Sequence, residues 1–258
     1  MMKKTLIATA MLAATSVAQA EISGNVAMAS DYIFRGISQT DNQMAVQGGF
    51  DYEHDSGIYI GTWASNVDSS FFDNGRDPQI ELDLYAGYSG EFGEGFGYDL
   101  GYIRYEYPSA DSVDTNEWYA SGSYSSGFGD FSVSANYSPK LQFILSDQSA
   151  WYLKAGYETT LPWYEIGFSA HVGYSTGDAF DVDASDVASG DSGLSDSYTD
   201  WSIGFSKSVY GVDLGLTYTD LGDIEGYGYE DDGVTISKSK CTSDWCDSKI
   251  VFSVSKSL

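Results

Sequence analysis

The sequence is short of proline, cysteine, histidine and base. Among 258 residues there are 4 prolines, 2 cysteines, 2 histidines and only 12 lysines and arginines together. Two cysteines and two histidines are too few for a multi-disulfide scaffold and suit no pattern of a structural zinc site. Against 38 acids the few bases leave a formal charge of −26. That balance excludes the basic footprint that nucleic-acid binding requires. Long apolar runs are missing too. Beyond the first twenty residues no stretch approaches the ~20 apolar residues of a spanning helix, so a helical membrane protein is excluded. What is abundant is aromatic and small: 21 tyrosines, 6 tryptophans and 29 glycines. Tyrosine and tryptophan suit membrane interfaces, where one end of a ring is apolar and the other wet.

The N-terminus reads as a targeting segment. Lys3 and Lys4 form a positive start, Thr5 to Val17 an apolar stretch, and Ala18-Gln19-Ala20 a small-residue cleavage site. This is the pattern of a secretory signal peptide, residues 1–20, removed before Glu21. The expected mature unit is one domain, residues 21–258.

From residue 21 the chain repeats segments of alternating apolar and polar residues. Alternation with period two marks a strand whose two faces meet different media. The clearest segment sets Ile80, Leu82, Leu84, Ala86 and Tyr88 against Glu81, Asp83, Tyr85, Gly87 and Ser89. Others are Ile22 to Phe34, Gln43 to Glu53, Phe96 to Tyr107, Phe131 to Tyr137, Trp151 to Tyr157, Tyr164 to Tyr174, Val212 to Tyr218 and Lys249 to Leu258. The segment 58–67 alternates less cleanly, because Ile58 and Ile60 oppose Tyr59 and Trp63, and its facing is left open.

About twelve segments are expected, and the breaks between them are sorted. Short ones (Asp55 to Gly57, Gly90 to Gly95, Gly127 to Gly129, Thr159 to Pro162, Ser208 to Gly211) alternate with long ones. The long ones are Gly36 to Asn42, Asp68 to Asp77, Pro108 to Thr115, Pro139 to Gln148, Ser175 to Ser197 and Asp220 to Asp247. Tight turns at one end and long loops at the other describe an all-β, up-and-down antiparallel β-barrel across an outer membrane. A soluble sandwich has no reason to sort its loops by end. The expected surroundings are outer-membrane lipid and lipopolysaccharide.

If the polar parity faces the lumen, its acids are Asp31, Asp51, Glu53, Glu81, Asp83, Asp99, Glu117, Glu158, Glu165, Asp200 and Asp213. Its bases are Arg35, Lys154 and Lys249, and His171 shares that face. Asp31, Arg35, Asp51, Glu81, Asp83, Asp99, Lys154, Glu165, His171 and Asp213 are the expected pore lining. Acidic rings favour cations. The expected function is passive diffusion of small hydrophilic solutes or ions with a cation preference. The alternative is a non-conducting structural or adhesion barrel, its interior filled by its own side chains and its acidic surface loops meeting a partner; only Ser175 to Ser197 and Asp220 to Asp247 are long enough to plug it. In the last loop Cys241 and Cys246 are expected to form a disulfide, because exported proteins meet an oxidising compartment. Oxygen-rich loops can hold divalent ions, but no EF-hand spacing is present, so no metal or cofactor is expected. No nucleophile elbow marks a hydrolase.

Several motifs occur in a familiar order: SDYIFRGISQT from Ser30, QGGFDY from Gln47, GIYIGTWASNVD from Gly57, ELDLYAGY from Glu81 and GYDLGYIRYEYP from Gly97. Over Ser30 to Tyr119 the chain resembles the proteobacterial TorF family of porin-like outer-membrane proteins. The resemblance implies an outer-membrane channel and carries no substrate or site residues.

Overall fold

The computed structural model describes residues 21–68, 78–108, 110, 113–142, 146–162, 164–181, 196–222, 224–229, 236–240 and 244–258. The expected signal peptide, residues 1–20, lies outside them.

The strands are β1 Glu21–Ala29, β2 Ile33–Phe34, β3 Ile37–Ser38, β4 Ala45–Glu53, β5 Ile58–Asn66, β6 Ile80–Phe92, β7 Phe96–Glu106 and β8 Thr115–Ser126. They continue as β9 Gly129–Ser138, β10 Ala150–Leu161, β11 Ile166–Thr176, β12 Tyr198–Val209, β13 Val212–Leu221, β14 Glu225–Tyr229, β15 Ile236–Lys240 and β16 Lys249–Ser257. Twelve of them close one barrel in the order β1-β16-β13-β12-β11-β10-β9-β8-β7-β6-β5-β4. The first and last strands seal it antiparallel, from Asn25 opposite Ser257 to Ala29 opposite Ser253. Closure leaves no edge of unpaired backbone, the condition for strands to cross a bilayer. The pairs β2–β3 and β14–β15 are separate two-stranded hairpins in the first and last long loops.

Burial is inverted relative to a water-soluble protein. Val133 and Phe252 are 61% and 63% exposed, whereas Glu117 and Asp200 are fully buried. An apolar band of this extent on the outside matches acyl chains, not water. Rings bound the band at two levels. At the short-turn end Phe92, Phe96, Tyr124, Phe131, Tyr157, Phe168 and Phe205 follow one another from β6 to β12; Tyr124 and Phe131 are cross-strand partners and the other successive rings lie 4.6 to 6.3 Å apart. At the loop end Tyr102 meets Trp118 and Tyr137 meets Trp151, while Trp118 and Tyr137 are cross-strand partners. Leu100 lies between the two levels and points out. Leu100→Arg is therefore expected to cost about 2–4 kcal/mol of barrel stability, read as a lower urea midpoint in phospholipid vesicles.

Strand β5 faces the way that its alternation left open. Ile58 and Ile60 point outward, at 54% and 55% exposure, and Tyr59 and Trp63 point inward. The confusion arose because large rings sit on the polar face.

Inside, glycines and tyrosines interlock. Tyr59, Gly87, Gly101 and Tyr119 form one row across β5, β6, β7 and β8. Each tyrosine ring lies flat over its neighbouring glycine, where a side chain would collide with it. Tyr85 covers Gly61 in the same way and reaches Asp51. Glycine in a strand marks a close approach of this kind, and an aromatic lid restores the lost contact.

Candidate functional site: an occluded lumen

The first strand ends at Ala29 and does not run on to Phe34 as the alternation suggested. The chain turns inward instead. Backbone pairing of Ile33 with Ser38 and Phe34 with Ile37 makes a hairpin with Arg35 and Gly36 at its tip, both at positive φ (49° and 84°). Asp31 holds its base. Its Oδ1 accepts hydrogen bonds from Ser38 Oγ at 2.6 Å and Thr40 Oγ1 at 2.8 Å. Asp31 and residues 36–40 are buried. Asp31 and Arg35 therefore belong to a loop, not to a strand wall.

The hairpin crosses the barrel. Near its root Tyr32 packs edge-on against Trp63 of β5, with centroids 5.3 Å apart, and donates to Glu81 Oε1 of β6 at 2.7 Å. Farther in, Phe34 meets the ring of Tyr105 on β7. At the tip the Arg35 guanidinium forms a 2.7 Å ion pair with Glu117 on β8 and lies 4.3 Å over the Tyr152 ring of β10. A Cβ on Gly36 would come within 2.9 Å of the Cβ atoms of both Asp200 on β12 and Leu221 on β13. Only glycine fits there. β8 lies on the far side of the ring of strands from β1 and β4, where the loop begins. The loop thus spans the lumen.

Two apolar clusters cap it from the outer side. Ile37 packs with Leu141, Ala150, Ala179, Phe180, Tyr198 and Ile224. Tyr32 and Phe34 pack against Val67, Tyr105, Tyr107, Ala110 and Val113. Among the described residues the first loop is the one that crosses the lumen, and Ala179, Phe180 and Ile224 of the two longest loops pack on it from outside. Parts of those two, residues 182–195, 223, 230–235 and 241–243, lie outside the described residues.

Beneath the hairpin the wall is acidic and phenolic. Glu117 Oε1 accepts from Ser138 Oγ at 2.8 Å; Oε2 accepts from Asn136 Nδ2 at 3.2 Å and Tyr105 Oη at 3.3 Å, besides Arg35. Glu81 accepts from the Tyr32 and Tyr107 hydroxyls. Asp99 accepts from Tyr59, whose hydroxyl also meets that of Tyr119, and Asp51 from Tyr85. Asp83 sits between Glu81 and Glu117 electrostatically, and its buried Oδ1 has no hydrogen-bond partner. Asp213 is buried on β13, toward the short turns. Lys154 is a wall residue within electrostatic reach of Asp200 and Glu158.

One expected lining residue is displaced. Glu165 stands exposed in the turn before β11 at φ 53°, off the strand wall. His171 is on β11, its Nε2 2.9 Å from Asp200 Oδ1 and its Nδ1 2.8 Å from Ser202 Oγ. Serine, histidine and acid are the components of a hydrolytic triad. Ser202, however, is mid-strand between β11 and β13, where backbone N–H groups serve the ladder and not an oxyanion. The trio is a polar brace of the wall.

Glu117 and Asp200 share the polar face of their strands but are not among the residues expected to line the pore. Composition alone places tyrosine mainly at the membrane interfaces. The available signal was parity: Tyr59, Tyr85, Tyr105 and Tyr119 all share the polar face of their strands. Cys246 carries no free thiol. Cys241 lies outside the described residues.

A closed, twelve-stranded, up-and-down barrel with an apolar exterior is a transmembrane β-barrel and resembles outer-membrane porins in fold. By its sequence the chain belongs to the family described as "Bacterial protein of unknown function (Gcw_chp)", whose model matches residues 13–258. No curated protein matches it. Among solved structures it is similar to the KdgM porin, with TM-score 0.53 and 9% identity over 92% of this chain and 98% of that one. It is also similar to the NanC porin, with TM-score 0.51 and 8% identity over 91% and 98%. At such identities the likeness concerns the fold. Neither the family model nor these two porins bears the TorF name.

Proposed function

We propose that this protein is a porin-like channel of the Gram-negative outer membrane that admits small hydrophilic solutes and is held shut by its first loop. The observation that carries this reading is a twelve-stranded lumen crossed by one short hairpin whose tip is held by a single ion pair. Eight strands give an interior that side chains can fill, so twelve leave a path once the hairpin moves. The resemblance to the TorF family supports the same reading. The acids of the wall outnumber its bases, which supports a preference for cations. Export through a signal peptide cleaved after Ala20, a Cys241–Cys246 bridge in the last loop and contact with lipopolysaccharide belong to the same proposal. On the lipid side a depression of about 670 Å³ over Ala86, Ala120 and Ala135, walled by Trp118 and Trp151, suits an acyl chain.

A second reading, a permanently closed structural barrel, is favoured by the depth of the hairpin and its two apolar caps. Planar-bilayer recording separates the two. The channel reading expects discrete conductance steps, rare in the native protein and frequent once residues 33–38 are replaced by a short Gly-Ser link. Silence from both proteins leaves only the structural barrel. In a KCl gradient the reversal potential should have the sign of cation selectivity; the opposite sign sinks that preference. Reversing Glu81 and Asp83 to lysine should lower the K⁺/Cl⁻ permeability ratio several-fold, because both carboxylates face the path. An unchanged ratio would place the conducting path elsewhere.

A further inference from the structure

The tip of the first-loop hairpin is an unusual place for arginine. A two-residue hairpin turn with positive φ at both central positions ordinarily takes Asn-Gly or Gly-Gly. Arg35 occupies the first of these at φ 49°, a conformation that an unbranched, non-glycine residue adopts infrequently. Its side chain is what the position gains.

That side chain enters a socket whose carboxylate and nearer aromatic face come from the wall, while Phe34 of the hairpin flanks the guanidinium at 4.7 Å. The Glu117 carboxylate is fixed by Ser138, Asn136 and Tyr105, none of them from the hairpin. The aromatic face beneath the guanidinium is Tyr152, also from the wall. Glu117 is fully buried and Arg35 is 9% exposed, so the pair is shielded from solvent. A preset carboxylate beside a tyrosine face is the chemistry that selects a planar guanidinium over an ammonium. The plane hydrogen-bonds at its edge while its weakly hydrated face stacks on the ring, whereas a compact ammonium has no flat face to stack and gives up more water on entering.

We propose that the Glu117 socket is a binding site for solutes carrying a guanidinium group, and that Arg35 is its built-in competitor. This rests on the channel reading and gives it a substrate class. A solute entering the outer mouth offers the group that the hairpin already offers. Occupation of the socket then favours the hairpin-out arrangement by the difference in affinity between the two states. While the hairpin is in place, the site is available only for the fraction of time that the tip is withdrawn, and the apparent affinity falls by that fraction.

The test uses the full barrel refolded in detergent, with folding checked by the heat-dependent shift of its gel band. L-argininamide is the probe and L-lysinamide, of equal charge, the control, both measured by calorimetry. Arg35→Ala should bind argininamide at least about tenfold more tightly than the native protein, and more tightly than it binds lysinamide. Adding Glu117→Gln should remove the gain. Equal affinity in native and Arg35→Ala barrels, equal affinity for the two amides, or indifference to Glu117→Gln overturns the proposal. Arg35→Gln repeats the test should Arg35→Ala not fold. Conductance of the same preparation keeps the two readings apart. A conducting Arg35→Ala barrel that does not prefer argininamide ends this proposal and leaves the channel, whereas binding without conductance ends the channel reading and leaves the socket.

Discussion

Glu117→Ala is expected to unseat the first loop and leave the barrel open for most of the time. The reasoning is an asymmetry of buried ion pairs. Forming one contributes little net stability, because both charges lose their water, but removing one partner leaves the other buried and unpaired at about 3–5 kcal/mol. Here the stranded group is Arg35, whose guanidinium has one carboxylate at 2.7 Å. The barrel wall does not move to meet it, since β8 is hydrogen-bonded on both sides. The hairpin is the part able to move, because covalently it joins the barrel only at its ends and its remaining holds include side-chain contacts of Tyr32, Phe34 and Ile37 and one backbone hydrogen bond from Asp68 to Gln39. The penalty therefore falls on the closed state alone, and a shift of that size changes the closed-to-open ratio by roughly a hundredfold to a few thousandfold. The Lys140–Asp147 pair shows why distance alone does not predict such an effect. It is equally short at 2.7 Å, but its side chains are 62% and 73% exposed, so cutting it should change little.

Two measurements follow for Glu117→Ala. Single-channel records should change from rare openings to a largely open trace. Trypsin added outside intact cells should cut after Arg35, a bond the native protein buries, with the product identified by mass. Persistent closure together with resistance at Arg35 would mean that the two apolar caps hold the loop without the ion pair. Ile37→Asp would then be the variant to open it, since Ile37 is buried in the cap formed with Leu141 and Phe180.

The barrel was legible in the sequence because a bilayer imposes period two on every strand, and chain reversal imposes sorted loops. Ile80 to Tyr88 reads correctly residue by residue for that reason. The plug was less legible because it obeys the same local rules. Tyr32 and Phe34 keep the apolar parity of Ile22 to Met28, so the alternation runs on smoothly past Ala29, where the backbone leaves the wall. The available sign was the Arg35-Gly36 pair, a turn signal in the middle of what read as the end of a strand. Glu165 misled in the opposite way. It has lumen parity, but β10 runs on to Leu161 and β11 begins only at Ile166, so the turn lies later than expected and carries both Tyr164 and Glu165 at positive φ. Parity describes a residue only while the strand continues. Inside the barrel, parity identified which acids face the lumen, but not which are held. The difference between Glu117, with its wall donors, and Asp83, whose Oδ1 has none, depends on which side chains the adjacent strands place beside each carboxylate.

Gly101→Val should cost the barrel more than any lumen charge does, because it breaks a joint on which four strands depend. Tyr59 leans from β5 over Gly87, Tyr119 leans from β8 over Gly101, and the two hydroxyls meet between them, with Asp99 accepting from Tyr59 at 2.6 Å. Gly87 and Gly101 face each other across β6 and β7. A Cβ at 101 would overlap the Tyr119 phenol and stand 2.9 Å from the Ala86 carbonyl oxygen, so backbone as well as ring is in the way. Tyr119 must swing into the lumen and leave the Tyr59 hydroxyl. Overpacking typically costs about 1–3 kcal/mol, and a buried polar group deprived of its partner about 1–3 more. Against a total stability of about 5–15 kcal/mol, that removes a large share. The expected result is a urea midpoint well below that of the native barrel and a larger unfolded band on unheated gels. Tyr119→Ala combined with Gly101→Val should recover part of the loss, because the collision with the ring disappears while that with the backbone remains. If the double variant is no better than Gly101→Val alone, the ring is not the obstacle, and the close approach of the β6 backbone carries the whole cost.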